Sequence, residues 1–262
     1  MKRIDATVWL ILPTYNEVQN IGPFVAAAVQ RLNEAATKHV LLIVDDNSPD
    51  GTGKAADLLA KTYDSVRVLH RQNKQGLGRA YLAGFDVALE NDAEYIMEMD
   101  ADFSHDPRDI PRLVQAASEG DIAIGSRYTT GGGVRDWGAG RRVLSRAGCW
   151  YARKWLRIEV KDLTGGFKCF SREALIAIEP NKVVSNGYGF QIEMTYRALR
   201  AGLQITEVPI WFTERRVGES KMSPRIAIEA VLRVPTLKRQ VDRDVAANPT
   251  TSRTPDRSEI AN

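Results

Sequence analysis

The sequence predicts a doubly wound α/β domain with a mostly parallel central sheet, and three observations support that fold class. Five short apolar runs rich in β-branched residues alternate with amphipathic segments of helical length. Such alternation favours parallel strands joined by right-handed crossovers, with helices on both faces of the sheet. Each run is followed by polar, turn-rich residues, at the strand end where open α/β sheets bind ligands.

The elements follow one another in a regular order as far as Arg127. Strands are predicted at 8–12, 40–44, 66–70, 95–99 and 121–125. The helices predicted between and after them lie at 21–36, 53–63, 76–91 and 107–120. Beyond Arg127 a Gly- and Arg-rich loop interrupts the pattern, and four further features are expected, namely a helix near 142–156, a strand and helix around 165–175, a helix after 186–190 and a strand at 203–210.

The C-terminal part divides into a helix and a tail. Residues 223–240 carry apolar residues at helical spacing with basic residues between them, so this helix either packs on its own domain or lies in a membrane interface. The tail is poor in apolar residues and rich in Pro, Ser and Thr, which is typical of disorder. The expected organisation is a catalytic domain at 1–222, an amphipathic helix at 223–245 and a disordered tail at 246–262.

Composition limits the function classes. The formal net charge of +3 provides no global field for nucleic acid. Cys149 and Cys169 have neither a disulfide framework nor a metal-binding spacing, so two reduced thiols are expected. No apolar run approaches the roughly 20 residues needed to cross a bilayer, and the N-terminal run lacks a cleavage site. We therefore expect a cytoplasmic protein whose membrane contact, if any, is peripheral.

Two nucleotide-binding fingerprints are incomplete. Gly76 and Gly78 are followed by Tyr81 where the dinucleotide pattern requires a glycine, and "GTGKA" at 51–55 lacks the Walker spacing. These departures disfavour a dehydrogenase and a P-loop ATPase. "DDNSPDGT", after the second strand, is typical of an Asx turn with a helix cap, but its acids also suit a base N–H or a ribose hydroxyl.

"EYIMEMDADFSHDP" places Asp100 and Asp102 directly after a buried strand. Their even spacing on an extended segment turns both carboxylates to the same side, where they would repel unless a divalent cation binds both. Ligation by oxygen alone favours Mg²⁺ or Mn²⁺ over zinc. The alternative is a solvated turn at the strand end. His105, close to Pro107, is expected to be structural rather than an acid or base.

Two basic clusters follow. Arg127, Arg141, Arg142 and Ser145 surround the Gly-rich loop, and guanidinium groups beside a hydroxyl can clamp a phosphate, although single surface arginines are often only solvated. A second cluster, "ERRVGESK" at 214–221, surrounds a glycine.

Eight ordered motifs resemble those of the inverting family 2 glycosyltransferases with the GT-A fold, and within them the dolichyl- and polyprenyl-phosphate mannose synthases. They are "LPTYNE", "VDDNSPDGT", "GLGRA", "MDADFSHDP", "GSRY", "DLTGGFKCF", "GYGFQIEM" and "RRVGESKM", and they cover nearly all of residues 8–222.

The resemblance implies roles for individual residues. Those that would hold the nucleoside of GDP-mannose are Pro13, Tyr15, Glu17, Val44 and Asp46. Asp100 and Asp102 would bind the Mg²⁺ or Mn²⁺ ion and the diphosphate, with Ala101 approaching through its backbone. Ser104 stands where some relatives have a glutamine ligand, which leaves a third protein ligand in doubt. Arg127, Arg141 and Ser145 would clamp the acceptor phosphate, while Arg215 and Lys221 would close over the donor phosphates.

The implied reaction transfers mannose from GDP-mannose to a polyprenyl monophosphate with inversion. Because the acceptor is already an anion, no general base is required, and positioning with electrostatics carries the rate, so Asp102 and Arg127 are expected to be the catalytic residues. Glu193, in "FQIEM", is given a structural or substrate-orienting role. Many family members have C-terminal transmembrane helices, which this chain lacks, so the 223–240 helix, the basic loop or a separate membrane-anchoring protein partner could provide the membrane contact.

Three alternatives stay open. A polyprenyl-phosphate glucosyltransferase using UDP-glucose would share most of these motifs. A non-catalytic sugar-nucleotide-binding regulatory subunit would need no cations on the acceptor side. A nucleotidyltransferase also uses paired carboxylates, but the N-terminal glycine-rich loop typical of that class is absent from "WLILPTYNE".

Overall fold

The computed structural model describes residues 3–214 and 224–247, with the backbone alone for 224–232. A seven-stranded sheet with the order β3-β2-β1-β4-β7-β5-β8 forms its centre. Its strands are β1 (Ile4–Thr14), β2 (Ala36–Asp45), β3 (Val66–His70), β4 (Tyr95–Glu98), β5 (Ile122–Ser126), β7 (Lys168–Ser171) and β8 (Ile205–Pro209). Two short strands, β6 (Gly133–Val134) and β9 (Trp211–Phe212), pair in a separate two-stranded sheet. The five strands predicted before Arg127 are all present.

The helices also follow the predicted order. They are α1 (Ile21–Ala35), α2 (Thr52–Thr62), α3 (Leu77–Glu90), α4 (Ile110–Ser118), α5 (Ala139–Leu156), α6 (Arg172–Ile178), α7 (Tyr188–Arg200) and α8 (Pro224–Ala247). Short 3-10 turns at Pro107–Asp109 and Pro180–Lys182 precede α4 and follow α6.

Strand β1 is the centre of the parallel part of the sheet. It pairs in parallel with β2 on one side and with β4 on the other. Its residues from Val8 to Leu12 are buried, because a strand covered by helices on both faces must be apolar throughout rather than alternating. The register aligns Thr14 with Asp45, so the polar ends of β1 and β2 lie side by side.

The sheet contains one reversal that the alternation of strands and helices did not predict. Strand β7 enters between β4 and β5 and is antiparallel to both. Its register places Lys168 directly opposite Glu98, the last residue of β4. The predicted mostly parallel sheet is confirmed. The antiparallel strand β7 begins directly after Gly165, Gly166 and Phe167, and the two glycines line the cavity described below.

Helices cover both faces of the sheet, as predicted. Helices α1, α2 and α4 contribute to one buried apolar cluster, while α3, α5, α6, α7 and α8 contribute to the other. Gly84 of α3 lies so close to β1 that a Cβ atom there would collide with the Ile11 side chain, so a larger residue at this position would push the helix off the sheet.

Helix α8 packs on the domain along the part whose side chains are described. Val234, Leu237 and Val241 are buried in the cluster shared with α5 and α7. Tyr196 Oη donates to Asp242 Oδ1 at 2.7 Å, which joins α7 to α8. The helix continues to Ala247, past the predicted start of the tail, and 248–262 lie outside the described residues. No helix in the described part of the chain is both long and apolar enough to cross a membrane.

Candidate active site

A cavity of about 290 Å³ opens where the parallel strands end. Strands β1, β2, β4 and β5 all point their carboxyl ends toward it, as the sequence predicted. Predicted site residues that line it are Pro13, Tyr15, Glu17, Asp46, Asp100, Ala101, Asp102, Ser104, Arg127 and Arg141. The chain therefore brings residues more than a hundred positions apart to one place.

Two parts of the cavity differ in origin and charge. The strand-end wall consists of Tyr15, Glu17, Asp46, Asp100 and Asp102, which follow β1, β2 and β4. The α5 wall consists of Arg127, Trp137, Arg141 and Phe212, which surround the start of α5. Apart from Lys74 beside Tyr15 and Glu214 beside Arg141, the charged groups are four carboxylates on the strand-end wall and two guanidinium groups on the α5 wall.

Asp100 and Asp102 belong to a tight turn after β4. Tyr81 of α3 donates its hydroxyl to Asp100 Oδ1 at 3.1 Å, and the Ser104 backbone N–H donates to Asp102 Oδ1 at 2.9 Å. Phe103 has a φ of 61°, a left-handed conformation that bends the chain between them and Ser104. Both carboxylates line the cavity, as the even spacing predicted.

The donor atoms around this turn fit a hard divalent cation. They are the carboxylates of Asp100 and Asp102 with the nearby Ser104, all oxygen, and a Cys or His ligand is not needed. Among the described residues no cluster of three or more His, Cys, Asp or Glu side chains forms a closed metal cage. An ion bound by two carboxylates keeps positions for water and phosphate oxygens, which is the usual arrangement for Mg²⁺.

The segment after β2 forms the expected turn and also contributes one residue to the cavity lining. Asp45 is buried and accepts from Thr14 Oγ1 at 3.1 Å and from Ser48 Oγ at 2.6 Å, while Asp50 accepts from the Thr52 N–H at 2.9 Å at the start of α2. Asp46 instead lines the cavity and accepts from Arg71 Nη1 at 2.5 Å. The turn and the side-chain hydrogen bond at the start of α2 are thus made by neighbours of Asp46, which itself lines the cavity.

Tyr15 and Glu17 enter the cavity from the end of β1. The Lys74 ammonium lies 3.7 Å from the centroid of the Tyr15 ring, a cation–π contact that holds the ring at the cavity mouth. Glu17 is buried and accepts from Asn20 Nδ2 at 2.8 Å. Val44 has a fully buried side chain in the core and does not line the cavity.

Arg127 is buried and held from behind. Its Nε and Nη2 donate to the two oxygens of Asp162 at 2.7 and 2.6 Å, and Nη2 also donates to Thr164 Oγ1 at 2.7 Å. Burial disfavours the charge of Asp162, yet the guanidinium holds the pKa of that carboxyl below its ordinary value. The bidentate pair leaves Arg127 Nη1 without a hydrogen bond among the described residues, so one edge of the group remains for a ligand.

Arg141 is held more loosely than Arg127. It donates from Nη1 to Glu214 Oε1 at 2.6 Å, lies over the Trp137 ring at 4.2 Å, and has a buried Nε with no partner among the described residues. Ser145 accepts from the Tyr128 hydroxyl at 2.6 Å and does not line the cavity. The structure thus brings together two of the three expected clamp residues.

His105 and Glu193 have the packing expected of structural residues. His105 is buried between the rings of Phe167 and Phe212, and burial lowers its pKa to about 4, so its ring is neutral near pH 7. Glu193 accepts from Arg197 Nε at 3.0 Å and from the Ser185 N–H at 3.1 Å, and it does not line the cavity. Arg215 and Lys221 lie outside the described residues.

Sequence reasoning overlooked several residues that line the cavity or hold its walls. Trp137 and Phe212 form the aromatic part of the α5 wall, while Gly165, Gly166 and Gln191 form the floor of the cavity. The signals for the floor were the Gly-Gly pair before a short apolar strand, which is typical of close backbone approach, and the presence of these residues in two of the eight motifs. No local pattern indicates that Asp162 lies behind Arg127.

The fold and cavity define a class of protein that comparison with known sequences identifies. Residues 9–178 match the family described as glycosyl transferase family 2, and the chain belongs to that family.

Two characterised relatives make the assignment more specific. The chain is 45% identical over 227 residues, 87% of its length and 92% of the relative, to the undecaprenyl-phosphate mannosyltransferase of Micrococcus luteus. It is 47% identical over 227 residues, 86% of its length and 84% of the relative, to the polyprenol monophosphomannose synthase of Mycolicibacterium smegmatis. The resemblance drawn from the eight motifs is confirmed.

Solved structures confirm the GT-A fold. Glucosyl-3-phosphoglycerate synthase from Mycobacterium tuberculosis, in complex with Mn²⁺, UDP-glucose and phosphoglyceric acid, superposes with a TM-score of 0.62 at 17% identity, covering 90% of this chain and 79% of that one. The same enzyme with UDP gives a TM-score of 0.61 at 17% identity, covering 88% and 80%. At this identity the likeness concerns the fold.

Proposed function

We propose that the protein transfers mannose from GDP-mannose to a polyprenyl monophosphate with inversion, giving a β-mannosyl phosphoryl polyprenol and GDP. The observation that carries the proposal is the cavity with carboxylates on its strand-end wall and arginines on its α5 wall. The names of the two relatives, at 45% and 47% identity, support mannose as the sugar and a polyprenyl phosphate as the acceptor.

The strand-end wall is suited to the donor. Tyr15 offers an aromatic face and Asp46 a carboxylate that can accept from a base or ribose, with Pro13 and Glu17 beside them. Asp100 and Asp102 with Ser104 would hold a Mg²⁺ or Mn²⁺ ion, and such an ion, when bound, neutralises the diphosphate and assists its departure. Arg215 and Lys221 remain proposed contacts of the donor phosphates.

The α5 wall is suited to the acceptor. Arg127 and Arg141 present donors to an oxyanion, and guanidinium groups bind phosphate with two hydrogen bonds at a time. A phosphate monoester is already ionised, so no side chain has to remove a proton from it. This agrees with the buried, neutral state of His105, which lines the cavity and whose pKa burial lowers to about 4. We propose that these arginines align the phosphate with the anomeric carbon for a single in-line displacement.

A lipid acceptor requires contact with a membrane surface, and we propose that α5 provides it at the cytoplasmic face. Val143, Leu144, Trp150 and Trp155 of α5 are 67%, 42%, 60% and 48% exposed. The opposite side of α5 packs against α8, so this exposed side has no partner among the described residues. Exposed Arg142, Arg146 and Lys154 flank it, a combination that favours the interface of an anionic bilayer. A separate membrane-anchoring protein could add to this contact.

A donor panel tests the proposal. Purified protein with Mg²⁺ or Mn²⁺ and a short polyprenyl phosphate is expected to make a glycolipid from GDP-mannose, detected by mass spectrometry, and a β-configured product by NMR would show inversion. Transfer from UDP-glucose alone would instead identify a polyprenyl-phosphate glucosyltransferase. Binding of GDP-mannose without any glycolipid would indicate a sugar-nucleotide-binding regulatory subunit.

A further inference from the structure

A buried ion pair lies directly below the cavity. Lys168 and Glu98 face each other across β7 and β4, and Lys168 Nζ lies 3.1 Å from Glu98 Oε1. The side chains of Lys168 and Glu98 are 1% and 0% exposed. Glu98 precedes Asp100 by two positions and Lys168 follows Gly166 by two, so the pair supports two residues that line the cavity.

Burial of this ion pair carries a desolvation penalty that the pairing of two strands does not require. Burial raises the pKa of Glu98 and lowers the pKa of Lys168, and the attraction between the two groups opposes both shifts. Apolar residues of similar volume would often join strands at equal or lower cost, because desolvation offsets most of the attraction in a buried pair. A role beyond strand pairing therefore has to be sought in what the pair contacts.

The pair contacts Gln191 of α7, which lines the cavity. Lys168 Nζ donates to Gln191 Oε1, and an ammonium group has no acceptor, so the amide must turn its oxygen toward Lys168. The orientation of the amide is thereby fixed, with Nε2 directed away from the lysine. The amide also helps to hold down the pKa of Glu98, so one Nε2–H lies toward that carboxylate without completing a hydrogen bond, and the second Nε2–H has no acceptor among the described residues.

The surroundings of Nε2 include the cavity floor. A Cβ atom on Gly166 would stand 3.4 Å from Gln191 Nε2 and 3.7 Å from Asp100 Oδ2, so the glycine keeps this corner open. Gln191, Gly166 and Asp100 all line the cavity. A buried N–H without a partner is destabilising by about 1–3 kcal/mol, and a ligand oxygen placed in this corner would remove that penalty.

We propose that Gln191 determines sugar specificity by donating an amide N–H to a hydroxyl oxygen of the transferred hexose, with Lys168 and Glu98 as positioning residues. The identity of the donor rests on the proposed function. The hexose is the group bonded to the terminal phosphate of the sugar nucleotide, so it lies next to the residue that would hold the diphosphate, Asp100. A neutral amide suits a hydroxyl group, whereas the phosphates are matched by arginines.

Calorimetry with paired ligands tests this inference. GDP and GDP-mannose are titrated against wild type, Gln191→Met and Gln191→Glu, since the first variant keeps the shape without donors and the second keeps a partner for Lys168. We expect GDP-mannose affinity to fall roughly 5- to 20-fold in both variants relative to GDP, the effect of one lost hydrogen bond plus a buried unpaired group. Gln115→Met on α4, outside the cavity lining, is the matched control and should bind both ligands as wild type does.

Deoxy analogues and Lys168 sharpen the result. The test uses GDP-mannose analogues that each lack one sugar hydroxyl. Removal of one particular hydroxyl should lower the affinity of wild type without lowering that of Gln191→Met. Lys168→Met should lower the same GDP-mannose to GDP affinity ratio. An equal loss of affinity for GDP and GDP-mannose would overturn the assignment, because it is the result expected if Gln191 is only structural or if the charge introduced by Gln191→Glu acts on the diphosphate. Unchanged affinity for both ligands would also overturn it.

A further pair of titrations separates this inference from the proposed function. If wild type binds UDP-glucose and not GDP-mannose, the mannosyl donor is wrong, and the Gln191 variants are judged by the affinity ratio of UDP-glucose to UDP. If wild type binds neither sugar nucleotide, both proposals fail.

Discussion

The two walls of the cavity are built by different means. The strand-end wall follows parallel strands β1, β2 and β4, whose ends lie side by side because of their register, and its charged groups are four carboxylates with Lys74 over the Tyr15 ring. The α5 wall follows the point where the regular alternation stops, and its charged groups are Arg127 and Arg141. Under the proposed function, the anionic donor would bind the first wall through a cation, whereas the anionic acceptor would bind the arginines of the second wall directly.

The two arginines of the α5 wall differ in how firmly they are held. Asp162, which pairs with Arg127, is completely buried, whereas Glu214, which pairs with Arg141, has a side chain 42% exposed. Exchange of Glu214 for a ligand phosphate leaves a carboxylate in contact with water, but exchange of Asp162 would leave a charge in the protein interior. Arg141 can thus change partner on ligand binding, while Arg127 offers a fixed edge.

The largest expected effect is at the strand-end wall. Asp102→Ala removes a carboxylate that would bind the cation and that also accepts from the Ser104 N–H at 2.9 Å. Because electrostatic stabilisation of a departing phosphate provides several kcal/mol, transfer is expected to fall roughly a thousandfold or more. Steady-state assays and GDP-mannose calorimetry should show turnover and donor binding lost together, and a chelator should reproduce the loss in wild type.

Asp106→Asn is the control for that substitution. Asp106 lies in the same loop, pairs with Arg108 and does not line the cavity, so transfer should stay within a factor of about two because exposed pairs contribute little. If Asp102→Ala kept normal donor affinity, the strand-end wall would not be the donor wall.

Arg127→Ala tests the fixed half of the α5 wall through stability and acceptor use. The substitution leaves Asp162 buried without its partner, which is expected to lower the free energy of unfolding by about 3–5 kcal/mol. Donor affinity, measured by calorimetry, should be spared while the KM for polyprenyl phosphate rises. Equal loss of donor and acceptor binding would show that Arg127 is not an acceptor residue.

A double variant separates the two consequences of losing Arg127. Arg127→Gln with Asp162→Asn replaces the ion pair by two neutral amides that can still hydrogen-bond, so denaturant unfolding should show most of the stability recovered. Use of the acceptor should not recover. Recovery of both would mean that Arg127 acts only through the structure of the loop.

Arg141→Ala tests the more exposed half of the α5 wall. Because Glu214 is partly exposed, loss of this pair should alter stability by less than about 1 kcal/mol. Loss of a charged hydrogen bond to phosphate should raise the KM for the acceptor roughly 10- to 100-fold, with donor KM unchanged. Arg112→Ala on α4 is the control, since Arg112 pairs with Asp109 at 2.6 Å and does not line the cavity.

The strand-end wall was largely predictable from the sequence, and the α5 wall only in part. Asp100 and Asp102 could be placed because strand and turn signals are local and parallel strand ends coincide at one edge. Arg127 was identified as a site residue, but its pairing with Asp162 depends on a contact across 35 positions that no periodicity encodes.

The same limit explains the floor of the cavity and the surface of α5. Gln191 of α7 contacts Lys168 of β7, which runs antiparallel between β4 and β5, and the sequence indicated a strand there without its direction. Helix α8 was considered for membrane contact, yet Val234 and Leu237 are buried, because helical periodicity shows an apolar face without showing what covers it. The exposed tryptophans of α5 appear only once its packed side is known.

The smallest expected effect concerns that exposed side of α5. The double variant Trp150→Ser, Val143→Ser removes apolar area from one face of α5, since residues seven apart lie on the same side of a helix. The free energy gained by burying apolar side chains in the bilayer should fall by about 1–2 kcal/mol. Binding to vesicles containing anionic lipid, measured by sedimentation, should therefore weaken roughly 5- to 30-fold. Leu58→Ser, at a side chain 64% exposed on α2 across the sheet, should bind as wild type does. Equal vesicle binding by all three proteins would place the membrane contact elsewhere. Weaker vesicle binding by the α5 double variant alone, with its GDP-mannose affinity unchanged, would put the lipid on the same side of the molecule as the α5 wall.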